Sequence, residues 1–359
     1  MDILDMFYQN PPKISKFYDR KISIDSDKFI LKGAINSGKT TLLKEWLLRN
    51  GNDDEILYVN FDDIRCDEKY IKENLSNFIL THKGLKAIAL DGVKIDFDLD
   101  FVNLKVGCAT KSNELKFKNY DEIYVNNLDF EEFMLFYKKK FDIRTMFSSF
   151  INYGNGTGSV FYDINDITIF LQNILKSNLD KTQIEILKQC CELTNKTFSA
   201  NGIYKFLKES MKISKDRVYE TIFKFENEKY INLLPKINQP NGAKKIYMSD
   251  FAMISALNVN KNFQTIFSNI VYCELLKLKK EFFYENDIDF FIPDLNLGIL
   301  CIPFRQSDLI FLKFKKLINK LKYLNIIKLI VISMSNQGLL EIEGIKCEII
   351  PFWQFSASL

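Results

Sequence analysis

Histidine is almost missing from this chain: His82 is the one example in 359 residues. A Ser-His or Cys-His hydrolase needs an imidazole beside its nucleophile, so a lone histidine in a polar run argues against that chemistry. Cysteine occurs seven times, at 66, 108, 190, 191, 273, 301 and 347, and never as a CxxC pair. Structural zinc needs clustered thiolate or imidazole ligands, so the scattered cysteines read as small core residues in a reducing compartment. Long apolar runs are also lacking; none approaches the roughly 20 residues of a membrane span. Residues 1–12 do not have the basic-then-apolar layout of a secretion signal, and a soluble, cytoplasmic protein with no membrane partner is expected. Net charge is scant at +3, which removes a global polycation and leaves only local patches for any nucleic acid. What remains is 47% hydrophobic and 26% charged, ordinary globular composition with chain enough for two or three cores.

From the N-terminus to about residue 150, short apolar runs alternate with helical segments, the pattern of a parallel α/β sheet. Strands are predicted over 28–31, 56–61, 87–90, 104–109 and 122–125, and helices over 39–50 and 70–81. Phe130, Phe133, Met134 and Tyr137 stand at helical spacing after Asp129 and are expected to pack in a core. The segment 152–159, NYGNGTGS, is the part of the chain richest in Gly and Asn. It reads as a domain boundary, with a second phosphate loop as the alternative. Beyond it, helices are predicted over 182–193, 200–211 and from Ser214 to 229, then strands over 230–234 and 244–248 around a turn at 238–242. Three helices and a turn-linked hairpin are the order of a winged helix. After 263 the α/β pattern returns: a helix over 267–280, strands over 287–292 and 298–303, a long helix holding Leu317 and Leu321, and a buried strand over 328–333.

One motif carries specific chemistry. Gly33-Ala-Ile-Asn36-Ser37-Gly38-Lys39-Thr40, followed by Thr41, fits G-x-x-x-x-G-K-[ST] at every fixed position. Glycines let successive backbone N–H groups turn toward phosphate oxygens, and the helix that follows presents its positive end to the same anion. Lys39 is expected on the β- and γ-phosphates, and the Thr40 hydroxyl on Mg²⁺. The run 86–91 is a hydrophobic strand ending in Asp91, where enzymes of this type keep an acid that holds Mg²⁺. Asp91 is followed by Gly92, where many ATPases carry the Glu that polarises the attacking water. A general base typically contributes about 10²–10⁴-fold, so hydrolysis is expected to be slow and a Glu at 92 to accelerate it. Asp62 and Asp63, at the end of the 56–61 strand, read either as a substitute acid or as the cap of a solvated turn. Thr110 and Ser112, after the 104–109 strand, read either as a hydroxyl sensor of the phosphate or as ordinary strand-ending residues.

These residues resemble the bacterial and archaeal AAA-type ATP-binding proteins that carry a C-terminal winged helix and a PD-(D/E)xK nuclease-like domain. The resemblance rests on GAINSGKTTLL at 33–43, ILYVNFDDIR at 56–65, the strand ending in Asp91 and GCATKSNEL at 107–115. It continues through LDFEEFMLF at 128–136 and KKIYMSDFAMISAL at 244–257. It implies an α/β fold: a P-loop NTPase parallel sheet over 1–151, a helical linker and winged helix over 160–260, and a small nuclease-like α/β domain over 263–359. It makes Gly33, Asn36, Ser37, Gly38, Lys39, Thr40 and Thr41 the nucleotide loop, Asp91 with Thr40 the Mg²⁺ site, and Thr110 or Ser112 the sensor. Lys39, Asp91 and Thr110 would then be the catalytic set. The chain departs from the pattern in three places. Gly92 replaces the usual Glu, and no Arg occurs between Arg65 and Arg144 to act as a finger. In the last domain Glu274 and Asp289 align with nuclease acids, but the strand expected to read Glu-x-Lys reads Cys301-Ile302-Pro303. Cys and Pro can neither hold Mg²⁺ nor steady a hydroxide, so that module is expected to be inactive.

Between 181 and 250 there are 13 Lys or Arg against 8 Asp or Glu. Lys208, Lys212, Lys215, Arg217, Lys224, Lys244 and Lys245 offer phosphate contacts to DNA, whereas Glu220, Glu226 and Glu228 in the same helix repel them. DNA and a protein partner both remain open. The function expected is an ATP-dependent switch or scaffold. The alternatives are a non-hydrolysing ATP-binding interaction module and a P-loop kinase or nucleotide transferase, the last without lid arginines to support it.

Overall fold

Apolar runs that are buried on both faces suit the interior of a parallel sheet, and the first part of the chain builds one. The computed structural model describes every residue except 1, 15–18, 98, 100, 102, 138–140 and 240. Its first unit comprises Met1–Asn127 together with two short returns of the chain, Gly156–Gly158 and Asn227–Lys229. The elements are α1 (Ile3–Tyr8), β1 (Lys28–Gly33), α2 (Lys39–Arg49), β2 (Ile56–Asn60), α3 (Glu68–Thr81), β3 (Ala87–Val93), β4 (Lys105–Thr110) and β5 (Asp121–Val125). The strands form one sheet in the order β2-β3-β4-β1-β5, every neighbouring pair parallel.

Each face of this sheet has its own helix. Leu42, Leu43, Trp46 and Leu47 of α2 recur at helical spacing and pack with Phe29, Tyr58 and Ala89. Trp46 meets Phe29 edge-on at 4.8 Å. Ile71, Leu75, Phe78 and Ile79 of α3 cover the opposite face with Leu57, Ile88 and Val106. Burying one such side chain stabilises by about 1.5–3 kcal/mol, so the two helices pin the sheet from both sides. What this fixes is the edge where β1, β3 and β4 end, and the functional residues gather there.

The second unit comprises Leu128–Asn155, Ser159–Glu226 and Tyr230–Leu359. It begins with α4 (Phe130–Phe136), α5 (Ile143–Tyr153), α6 (Ile167–Asn178) and α7 (Lys181–Glu192). Next come β6 (Thr197–Phe198), α8 (Ala200–Lys208), α9 (Lys215–Asn227), β7 (Ile231–Leu234) and β8 (Lys244–Met248), whose strands pair antiparallel as β6-β8-β7. Then follow α10 (Ala252–Leu257), α11 (Phe263–Leu275), β9 (Phe283–Glu285), β10 (Ile288–Ile292), β11 (Leu297–Cys301) and α12 (Ser307–Tyr323). The chain closes with β12 (Lys328–Ser333), β13 (Gly338–Ile342), β14 (Ile345–Pro351) and α13 (Phe352–Ala357). β9 to β14 make a six-stranded mixed sheet in the order β13-β14-β12-β11-β10-β9.

Packing draws its boundaries elsewhere than the expected spans of 1–151, 160–260 and 263–359. Residues from Leu128 onward leave the first unit because their aromatic rings are used in the second. Phe130 and Phe147 both pack on Phe352, with Phe147 and Phe352 stacked at 4.4 Å. A capping box between Asp129 and Glu132 starts α4 at that point. No helix among the described residues is long and apolar enough to cross a membrane.

Candidate nucleotide site

The motif loop joins the end of β1 to the start of α2, the strand-loop-helix setting that its chemistry requires. Gly33 has φ +130°, and a Cβ there would lie 2.1 Å from the Val125 carbonyl oxygen, so no other residue fits. At the far end, α2 starts on Gly38 without any side-chain cap. The first-turn N–H groups of Lys39, Thr40 and Thr41 therefore have no helical acceptor and no side-chain cap among the described residues, an end that would suit an anion. Ser37 is buried, and its Oγ has no hydrogen-bond partner among the described residues; the same holds for Asn36 Nδ2.

Lys39 folds over this loop. Its Nζ donates to the carbonyls of Gly33 at 2.9 Å and Ala34 at 2.6 Å. Burial lowers its pKa to about 8, Asp91 opposing and Lys111 adding to the fall. An ammonium that is poorly solvated, with two neutral carbonyls as its hydrogen-bond acceptors among the described residues, would gain from an arriving phosphate. Asp91, two residues before the end of β3, is buried and accepts from Tyr58 Oη at 2.7 Å. Burial raises the Asp91 pKa, against hydrogen bonds from Tyr58 and Thr40 and the charge of Lys44. A carboxylate and a threonine hydroxyl in contact are hard oxygen donors, a set that would suit Mg²⁺.

The other anticipated residues separate. Thr110 is buried, donates its hydroxyl to the Val93 carbonyl at 2.8 Å and accepts from the Ser112 N–H at 3.1 Å. Its hydroxyl straps β3 to β4, so the sensor role assigned to Thr110 has no free group to carry it. Ser112 Oγ accepts from Asn227 Nδ2 at 3.5 Å. The residue that does reach the loop is Asn113, which the sequence reading passed over. Its Oδ1 accepts from Gly33 N–H at 2.8 Å, while its backbone N–H donates to Asn227 Oδ1 at 2.9 Å and its Nδ2 to the Asn227 carbonyl. Arg20 was also missed; it donates to the Ser37 carbonyl at 2.7 Å and the Asn126 carbonyl at 2.9 Å. The NYGNGTGS segment supplies Thr157, whose N–H and hydroxyl donate to the Asn36 carbonyl at 2.9 and 3.0 Å. Gly158 N–H donates to Asn36 Oδ1 at 3.2 Å. In the structure this stretch braces the phosphate loop.

Gly92 overturns one expectation. It has φ +83°, and a Cβ there would stand 3.6 Å from Asp62 Cγ. A Glu at 92 would therefore carry roughly 1–2 kcal/mol of backbone strain and would meet a like charge, so it would not simply restore a missing base.

In the second unit the two aligned acids go separate ways. Glu274 pairs with Lys277 at 2.5 Å and accepts from Ser356 Oγ at 2.6 Å and Phe130 N–H at 3.2 Å. Asp289 accepts from Cys301 N–H at 2.8 Å and faces Lys245 at 3.9 Å. They share no partner, and among the described residues no group of three His, Cys, Asp or Glu is placed to hold a metal ion.

No family model matches the chain, and no curated protein matches it. Among solved structures it is similar to the Walker-type ATPase PABY2304 of Pyrococcus abyssi, over 65% of this chain and 91% of that one. The identity is 13% and the TM-score 0.46.

Proposed function

We propose that this chain binds ATP with Mg²⁺ at residues 33–41 and works as a nucleotide-dependent switch or scaffold with slow hydrolysis. The observation that carries the reading is the uncapped start of α2 beneath a half-buried Lys39 whose hydrogen-bond acceptors among the described residues are two carbonyls of its own loop. That is an anion site with its cation in place. Thr40 and Asp91 would hold the metal, which would supply positive charge to offset that of the phosphates. Arg20, Asn113 and Thr157 each bond a loop backbone atom, so a loop that moves on occupation would pull on bonds that lead to Asn227 and Gly158. Both residues are covalently continuous with the second unit, which gives nucleotide state a route along the chain.

The order α7-β6-α8-α9-β7-β8 supports reading 181–248 as a winged helix, and α11-β9-β10-β11-α12-β12 supports a nuclease-like module. The separated Glu274 and Asp289 support the view that this module is a scaffold. For the partner of the winged helix, the surface favours protein over DNA. Arg217 is paired with Asp180, and Lys245 is spent on Asn195 and Asp289. Meanwhile Phe206 and Phe223 are 56% and 59% exposed on α8 and α9. Titration of duplex DNA binding against salt separates the two; tight binding with a steep salt slope would restore DNA. For the nucleotide, ATP binding with phosphate release below about one per second is expected, both lost in Lys39→Ala. Turnover unchanged in that variant would remove the reading.

A further inference from the structure

Gly92 leaves the proposed reaction without its usual carboxylate, and the neighbouring strand fills the space. β2 and β3 run side by side with Asn60 opposite Asp91, so the residues just past each strand emerge at one edge. The turn after β2 is held by Phe61 N–H to the Asp91 carbonyl at 2.8 Å and by Asp62 N–H to Asn60 Oδ1 at 3.0 Å. These bonds place the Asp62 carboxyl in van der Waals reach of a side chain at 92, with a Cβ there 3.6 Å from Cγ and 3.7 Å from either oxygen. Asp63, whose oxygens accept from Arg65 at 3.0 and 2.7 Å, is not among the atoms nearest a Cβ at 92, all of which belong to Asp62. Asp62 instead meets Lys111 Nζ at 3.2 and 3.1 Å through its two oxygens. Lys111 directly follows β4, and its charge acts on Lys39, just as that of Asp62 acts on Asp91. The Asp62–Lys111 pair thus borders the Lys39–Asp91 centre.

We propose that Asp62 is the general base of ATP hydrolysis in this chain, taking from a separate strand the place that Gly92 leaves open. The proposal rests on the ATP-binding reading above. In the step, a water oxygen attacks the γ-phosphorus while the Asp62 carboxylate takes one of its protons. The bond from the γ-phosphorus to the β–γ bridging oxygen breaks, its electron pair leaves with ADP, and inorganic phosphate is formed. Asp62 then returns the proton to solvent. Its half-exposed carboxylate is poorly shielded from water, in keeping with slow turnover.

The test measures ATP–Mg²⁺ binding by calorimetry and phosphate release by single-turnover assay, on the full chain and on Asp62→Asn and Asp63→Asn. Asp62 is exposed, and the bonds the structure gives its side chain are those to Lys111, so its variant should fold; thermal melting checks this. Asp62→Asn is expected to bind ATP within about threefold of wild type and to release phosphate about 100-fold more slowly or less. Asp63→Asn should stay within about threefold on both. Failure of the wild type to bind ATP would fell the underlying reading. Binding with no wild-type turnover, equal losses in the two variants, or an unchanged rate in Asp62→Asn would overturn Asp62 as the base while leaving ATP binding intact.

Discussion

The two units each hold a pair of acids near lysines, and they use them in opposite ways. Near the end of β3, Asp91 is buried, and the hydrogen bonds of Lys39 among the described residues go to carbonyls of its own loop. In α11 and β10, Glu274 and Asp289 are sunk into a salt bridge, a serine and backbone N–H groups of the protein itself. A buried polar group must be satisfied; whether the protein or a ligand satisfies it separates a scaffold from a site. On the proposed reading Lys39 awaits an external anion, whereas Glu274 and Asp289 are satisfied by the protein itself.

Glu274→Ala should produce the largest effect, and on stability alone. Removing one member of a buried pair strands Lys277 and costs about 3–5 kcal/mol, read as a lower melting temperature with ATP affinity unchanged. An equal loss of affinity would blur the contrast between the units. Lys39→Ala should do the reverse, weakening ATP binding by at least about 100-fold, or about 2.7 kcal/mol, with melting nearly unchanged. The pH dependence of binding sharpens this. The free Lys39 titrates at about 8, and a bound triphosphate favours its charged form. Affinity should therefore be full below that pH and fall about tenfold between pH 7 and pH 9, with net proton uptake on binding. A flat profile would mean that Lys39 does not meet the phosphates. Smallest is the expectation for Asp289: incubation of DNA with Mg²⁺ or Mn²⁺ should give no cleavage, in wild type or Asp289→Ala alike. Robust cutting lost in the variant would make the second unit an active site after all.

Much of the first unit was legible because its chemistry is contiguous. Eight residues from Gly33 to Thr40 dictate a backbone shape, and the strand before and helix after them follow from apolar spacing alone. The aromatic residues after Asp129 were also rightly read as packing, although their partner Phe352 lies far along the chain. What escaped depends on strand order. Asn113 acquires meaning only once β4 lies beside β1, and the choice between Asp62 and Asp63 as the substitute acid only once β2 lies beside β3, which no local pattern reveals. The Asp62-Asp63 pair shows the limit well: adjacent identical residues, one capping a turn with Arg65 and the other facing Gly92. The β13–β14 hairpin was missed for another reason. Its signal is Glu343-Gly344, both with positive φ, and Glu is not a residue that turn chemistry singles out.

The measurement that bears most directly on the account is calorimetric titration of the folded chain with ATP and excess Mg²⁺, wild type against Lys39→Ala. One saturable site per chain, absent from the variant, is the predicted result. No heat from the wild type, or the same isotherm from both proteins, would contradict it.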